Sequence, residues 1–141
     1  MNTQDKITAI MTENVLCVDV DEELLRVDSL MKKHKIRHLP VLRKGKLVGI
    51  ISQTDILRLS FGGIFEGQGE SDLGMFETLR LEQVMVAKPS VANTSDTIAE
   101  VGQLFVDSNF HAVPVVNDRQ EVVGIVSTTD VIRYFLQQTR G

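Results

Sequence analysis

Val48-Gly49-Ile50-Ile51-Ser52-Gln53-Thr54-Asp55 returns 75 residues later as Val123-Gly124-Ile125-Val126-Ser127-Thr128-Thr129-Asp130. A β-rich apolar run ending in S-x-T-D reads as a strand passing into a helix, since Ser is a favoured N-cap and an acid three residues on completes a capping box. Seven of the fifteen positions in 46–60 are identical at this spacing. Upstream, a spacing of 74 lays Met11 on Met85, Val27 on Val101, Leu30 on Leu104, Pro40 on Pro114 and Val41 on Val115. The chain is a tandem repeat, and everything else follows from what one copy contains.

Each copy predicts the same series: strand, helix, strand, strand, helix. An extended segment (15–20; 90–94) leads to Asp21 or Ser95 as candidate N-cap. Leu24, Val27, Leu30 and Met31 in one copy, and Ile98, Val101, Leu104 and Phe105 in the other, recur at helical spacing and form the core-facing stripe. Pro40 and Pro114 disfavour helix before them. Two β runs follow in each copy, 39–42 with 47–52 and 113–116 with 122–127. They are joined by the polar loops Arg43-Lys44-Gly45-Lys46 and Asn117-Asp118-Arg119-Gln120. A repeat of some 55 residues buries little surface alone. The expected architecture is therefore α+β, two β-α-β-β-α repeats (1–60 and 81–141) packed about a pseudo-twofold axis. Segment 61–80 holds five of the ten glycines and is expected to be a linker; it lacks the GK[ST] ending of a phosphate-binding P-loop.

Composition narrows the class. With 43% apolar and 24% charged residues in 141, the chain is an ordinary globular one, and apolar runs such as 47–51 are five residues long, far short of a membrane span. The start, MNTQDKITAI, has no secretory pattern and Cys17 is the sole cysteine, so a cytoplasmic location is expected. Net charge is −4, but segment 29–54 carries Lys32, Lys33, Lys35, Arg37, Arg43, Lys44 and Lys46 with no acid. That patch is the basis of a nucleic-acid-binding alternative, weakened by the absence of any aromatic within it for base stacking. No nucleophile–base pair is legible, and the i,i+4 pair His34 and His38 sits among cations just before Pro40, so neither catalysis nor a metal is expected.

The two motif sets, Arg37-His38-Leu39-Pro40-Val41 with 48–55 and His111-Ala112-Val113-Pro114-Val115 with 123–130, resemble a pair of CBS domains over nearly the whole chain. The resemblance implies a non-catalytic regulatory module that binds an adenosine-containing ligand such as AMP or ATP, with no catalytic cofactor, and acts on a separate partner. It also implies composite sites: Ser52, Thr54 and Asp55 with the 87–90 entrance including Pro89, and Ser127, Thr129 and Asp130 with the 12–15 entrance including Val15. Arg37 and His111 stand where the family often places a basic phosphate contact, and His38, adjacent to Arg37, joins the expected ligand-binding residues. The chemistry suits this, because carboxylates accept from a ribose diol while hydroxyls and a helix N-terminus favour phosphate. The same S-x-x-D spacing also satisfies a plain helix cap. Arg58 and Arg133 are expected to pair with the aspartates three residues before them. Ala112 in place of His38 and the one-sided basic patch make the two sites unequal, with the basic side favouring phosphorylated ligands. The last helix, 131–136, is apolar at five of six positions, more than one core stripe needs. A homodimer, or a dimerisation module without a ligand, follows from that excess.

Overall fold

The computed structural model describes residues 4–65 and 78–140. The chain divides into two compact units whose limits cut across the linear repeats: Leu16–Pro89, and Met1–Val15 together with Ser90–Gly141.

The Leu16–Pro89 unit contains β1 (Val18–Asp19), α1 (Leu24–His34), β2 (His38–Arg43), β3 (Lys46–Ser52), α2 (Gln53–Phe65), α3 (Leu81–Val84) and β4 (Val86–Ala87). Its sheet runs β1-β2-β3-β4, with β1 parallel to β2 and the other pairs antiparallel. The β2–β3 hairpin turns on Lys44 and Gly45, at φ 52° and 79°. Two left-handed residues in a row match the twist of the flanking strands, which an ordinary turn would splay. Leu24, Val27 and Met31 of α1 bury their stripe with Leu39, Val41, Ile51 and Ile56, and Leu81 joins them from beyond α2. Each such fully buried aliphatic side chain stabilises the fold by about 1.5–3 kcal/mol. Helix α1 ends where Lys35 turns left-handed (φ 55°) and the Ile36 N–H donates back to the Met31 carbonyl at 3.0 Å.

The second unit repeats the plan with β5 (Ala92–Asn93), α4 (Ile98–Val106), β6 (Ala112–Val116), β7 (Val122–Ser127) and α5 (Thr128–Thr139). Strand β5 is parallel to β6, and β6 is antiparallel to β7. Ile98, Val101 and Phe105 pack with Val113, Val115, Val126 and Val131. The N-terminal arm completes this core: Ile7, on a 3-10 turn (Ile7–Ala9), is 0% exposed. The arm is pinned by Ile7 N–H to the Asp96 carbonyl (2.9 Å), Ile98 N–H to the Asp5 carbonyl (2.8 Å), and the Tyr134 hydroxyl donating to the Asp5 carboxylate.

Several expectations shift in detail. The N-caps are Glu23 and Thr97, not Asp21 and Ser95. The turns leaving the strands use acidic side chains first: the Asp19 carboxylate accepts from Asp21 N–H at 2.9 Å and Asp96 accepts from Asn93 N–H at 2.8 Å, which delays each helix by two residues. The leading strands are two residues long, shorter than the 15–20 and 90–94 segments. Helix α2 runs to Phe65, so the first five residues of the 61–80 stretch are helical; Leu79 packs on the core and Arg80 precedes α3, while 66–77 lie outside the described residues.

Candidate functional site

The two S-x-T-D segments are helix caps of matching geometry. Ser52 Oγ accepts from Asp55 N–H at 3.1 Å and Asp55 Oδ2 accepts from Ser52 N–H at 2.9 Å. Ser127 and Asp130 repeat this at 3.2 and 2.8 Å. The other carboxylate oxygen faces the expected arginine, Arg58 at 3.6 Å and Arg133 at 3.3 Å. Capping is thus a real role of both pairs, and it fixes the carboxylates against the first turns of α2 and α5. It leaves Oδ1 and one lone pair of Oδ2 for an incoming hydroxyl, provided a surface arginine yields. Thr54 and Thr129 are exposed one residue before each Asp.

Arg37 and His111 occupy equivalent places beside these caps. The Arg37 carbonyl accepts from Gln53 N–H at 2.8 Å, and the His111 carbonyl accepts from Thr128 N–H at 2.9 Å. The next residue in each strand, His38 or Ala112, pairs in register with Ser52 or Ser127. Arg37 and His111 are exposed, His38 is half-buried and Ala112 is buried.

The entrance segments complete each arrangement from the other linear repeat. In the Leu16–Pro89 unit, β4 lies antiparallel on β3 with Val86 opposite Ile50 and Ala87 opposite Gly49, and Lys88 N–H donates to the Val48 carbonyl at 3.2 Å. In the second unit, Thr12 bridges Ile125 with N–H···O distances of 2.8 and 3.0 Å. Lys88 and Asn14 then turn left-handed at φ 50° and 53°, immediately before Pro89 and Val15. The left-handed conformation is uncommon for lysine and commoner for asparagine, and its recurrence at these equivalent positions marks a turn shared by the two entrances. Pro89 and Val15 are both half-buried. The residues expected at one composite site, Arg37, His38, Ser52, Thr54, Asp55 and Pro89, therefore fall in one compact unit, and Val15, His111, Ser127, Thr129 and Asp130 fall in the other.

Sequence reasoning missed what seats the entrance strands. A Cβ on Gly49 would lie 2.9 Å from Met85 Cε, and one on Gly124 would lie 2.9 Å from Met11 Cγ and 3.1 Å from the Thr12 carbonyl. The glycine of each V-G-I run is thus the slot for the repeated methionine of the opposite linear repeat. The 74-residue match of Met11 to Met85, and the unused match of Ile7 to Leu81, were the available signals.

The basic segment 29–54 is not one patch. Lys32, Lys33, Lys35 and Arg37 precede β2 at the end next to the Ser52 cap, whereas Arg43, Lys44 and Lys46 lie at the hairpin end, about 17 Å along the strand. Lys32 pairs with Asp28 at 2.9 Å and Arg43 with Glu82 at 3.0 Å. Cys17 is half-buried before β1 and burial pushes its thiol pKa up, consistent with a packing role. Among the described residues, no helix is long and apolar enough to cross a membrane and no three His, Cys, Asp or Glu gather as a metal site.

Comparison with known proteins agrees with this arrangement. Two Methanocaldococcus jannaschii proteins are similar along most of the chain: MJ1225 at 27% identity (96% of this chain, 49% of that one) and MJ0188 at 32% (95% and 45%). The chain spans about half the length of these relatives. The crystal structure of MJ1225 superposes with a TM-score of 0.79. So does the CBS domain pair of MJ0100 in complex with 5′-methylthioadenosine and S-adenosyl-L-methionine, with a TM-score of 0.77 at 26% identity over 92% of this chain and 98% of that one. The CBS domain model matches residues 7–62 and 81–137, one copy for each half of the internal repeat, and the chain belongs to that family.

Proposed function

We propose that the chain is a regulatory module that binds an adenosine-containing ligand at two places, one in each compact unit, and reports occupancy to a separate protein. The observation that carries this reading is the doubled construction: a capped Ser–Asp pair at a helix N-terminus, flanked by an entrance strand from the other linear repeat. The MJ0100 pair, built on the same fold, holds two adenosyl compounds, which supports the ligand class. In this reading the base lies against the entrance near Pro89 or Val15. The ribose hydroxyls donate to Asp55 or Asp130, and Ser52, Thr54, Ser127 and Thr129 with the helix N-terminus face the 5′ substituent. In this reading the module acts by linkage: a ligand that binds one conformational state more tightly shifts the population toward it.

A second copy of the chain is the assembly partner we propose. Ile132 and Leu136 of α5 are 58% and 55% exposed and Val106 of α4 is 77% exposed, an apolar face left over after the core stripe is buried. Direct nucleic-acid binding is disfavoured by the separation of the basic residues to two ends of β2, and a gel shift with random RNA and DNA would expose it. The decisive test is a thermal-shift screen with adenosine, AMP, ADP, ATP, 5′-methylthioadenosine and S-adenosylmethionine. At about 100 times its Kd a ligand adds about 2.7 kcal/mol of stability. Asp55→Ala and Asp130→Ala should each remove one component of the response; a response unchanged in both would leave the aspartates as caps and refute the proposal.

A further inference from the structure

We infer that the two sites divide ligands by charge: the Ser52 site takes adenosine carrying 5′ phosphates, and the Ser127 site takes an adenosyl ligand without phosphate. This rests on the adenosine-binding reading above and deepens it. The two caps cannot discriminate, because their hydrogen bonds agree within about 0.1 Å and each carries the same Asp–Arg pair. The difference lies in the residues that the fold sets beside them. Arg37 and His111 are held at the same point by the same backbone bond to the first residue of the helix. The strand position opposite the cap serine is His38 in one unit and the methyl group of Ala112 in the other. The last turn of α1 and the residue that follows the helix supply exposed Lys33 and Lys35, whereas the equivalent positions after α4 hold Asp107 and Asn109.

The run that ends beside the Ser52 cap thus holds three basic residues, Lys33, Lys35 and Arg37, and no acid. Near the Ser127 cap the same three positions hold an acid, an amide and an imidazole. Arg37 and His111, the last residues of these runs, are hydrogen-bonded through their carbonyls to the first residues of α2 and α5, which sets the end of each run beside its helix N-terminus; charges there are screened only beyond roughly 8 Å at physiological ionic strength. A guanidinium also offers paired donors to phosphate oxygens, which an imidazole does not. The far cations, Arg43, Lys44 and Lys46, sit at the other end of β2 and do not enter the argument.

The test is isothermal titration of two single-site proteins with adenosine, AMP and ATP at 50 and 300 mM salt. Asp130→Asn isolates the Ser52 site and Asp55→Asn isolates the Ser127 site; both keep an oxygen that can serve the cap. At 50 mM salt the Ser52 site should bind ATP at least tenfold more tightly than adenosine, a preference that shrinks at 300 mM, while the Ser127 site binds adenosine at least as well as ATP. Two exposed exchanges check the cause. Lys35→Asn with Arg37→His should erase the phosphate preference of the first site, and Asn109→Lys with His111→Arg should create one in the second. Equal ranking of adenosine and ATP at both sites overturns the inference while leaving the adenosine reading standing. Absence of any thermal-shift response of the unaltered protein to all six ligands of the screen overturns that reading itself.

Discussion

Replacing Gly124 by Ala tests how the entrance segments are seated. The added methyl would lie 2.9 Å from Met11 Cγ and 3.1 Å from the Thr12 carbonyl oxygen. That oxygen accepts from Ile125 N–H at 3.0 Å and Thr12 N–H donates to the Ile125 carbonyl at 2.8 Å, so it cannot retreat without breaking the bridge that holds the arm. At Gly49 the three nearest atoms all belong to the Met85 side chain, and a methionine can change rotamer. Overpacking costs about 1–3 kcal/mol, and the loss of unfolded-state freedom on Gly→Ala returns about 0.4–1 kcal/mol. We therefore expect a net loss of about 2 kcal/mol for Gly124→Ala and about 1 kcal/mol or less for Gly49→Ala, measured by urea unfolding. A double-mutant cycle with Met11→Ala identifies the cause: residues in contact couple by about 0.5–3 kcal/mol, so the pair should be less destabilised than the sum of the single changes. Additivity, or a Gly124→Ala protein as stable as the parent, would refute the account of glycine as a methionine slot.

Other changes probe the remaining supports. Ile7→Ala removes a side chain with no exposed surface from the core of the second unit and should cost about 2–5 kcal/mol in thermal unfolding, whereas a cost under 1 kcal/mol would show that the arm is dispensable. The Tyr134 hydroxyl is held above its ordinary pKa of 10.0, first by its hydrogen bond to Asp5 and then by burial. The folded state thus favours the protonated phenol, a contribution complete below pH 10 and lost as pH rises through the raised value. Tyr134→Phe should flatten that alkaline decline in a pH series of melting temperatures; an identical decline in the variant would assign it elsewhere. Leu136→Glu places a charge on the exposed apolar face of α5 and should yield monomers by light scattering, with an unchanged mass counting against a second copy there.

Much of the fold was legible because it is periodic. The helical stripes, the hairpins and the S-x-x-D caps are local patterns, and each is found where its spacing places it. The delayed N-caps were not legible, since Asp19 and Asp96 compete for the turn through side-chain bonds that no periodicity records. The entrance pairings were legible only through the family resemblance and left no periodic signal of their own. Strand β4 is two residues long and Thr12 makes a single bridge, too short for an alternating signal, and their partners lie some 37 and 113 residues away in sequence. The basic segment misled by contiguity: seven cations in a row of 26 residues look like one surface until a six-residue strand separates them.

In the proposed reading, the exchange of entrances would couple the two halves through the chain itself. The first unit ends at Pro89, and β5 of the second unit begins three residues later at Ala92. In the same way, the arm ends at Val15 and β1 of the first unit begins at Val18. In the proposed reading, a ligand against Pro89 bears on the backbone that leads through Ser90 and Val91 into β5, and one against Val15 bears on the backbone that leads through Leu16 and Cys17 into β1. Linkage makes this reciprocal: if occupancy of the Ser52 site changes affinity at the Ser127 site, the reverse change has the same magnitude. Two sites that admit ligands of different charge, joined in this way, would let the ratio of a phosphorylated to an unphosphorylated adenosyl compound set the state of the module, rather than the concentration of either alone.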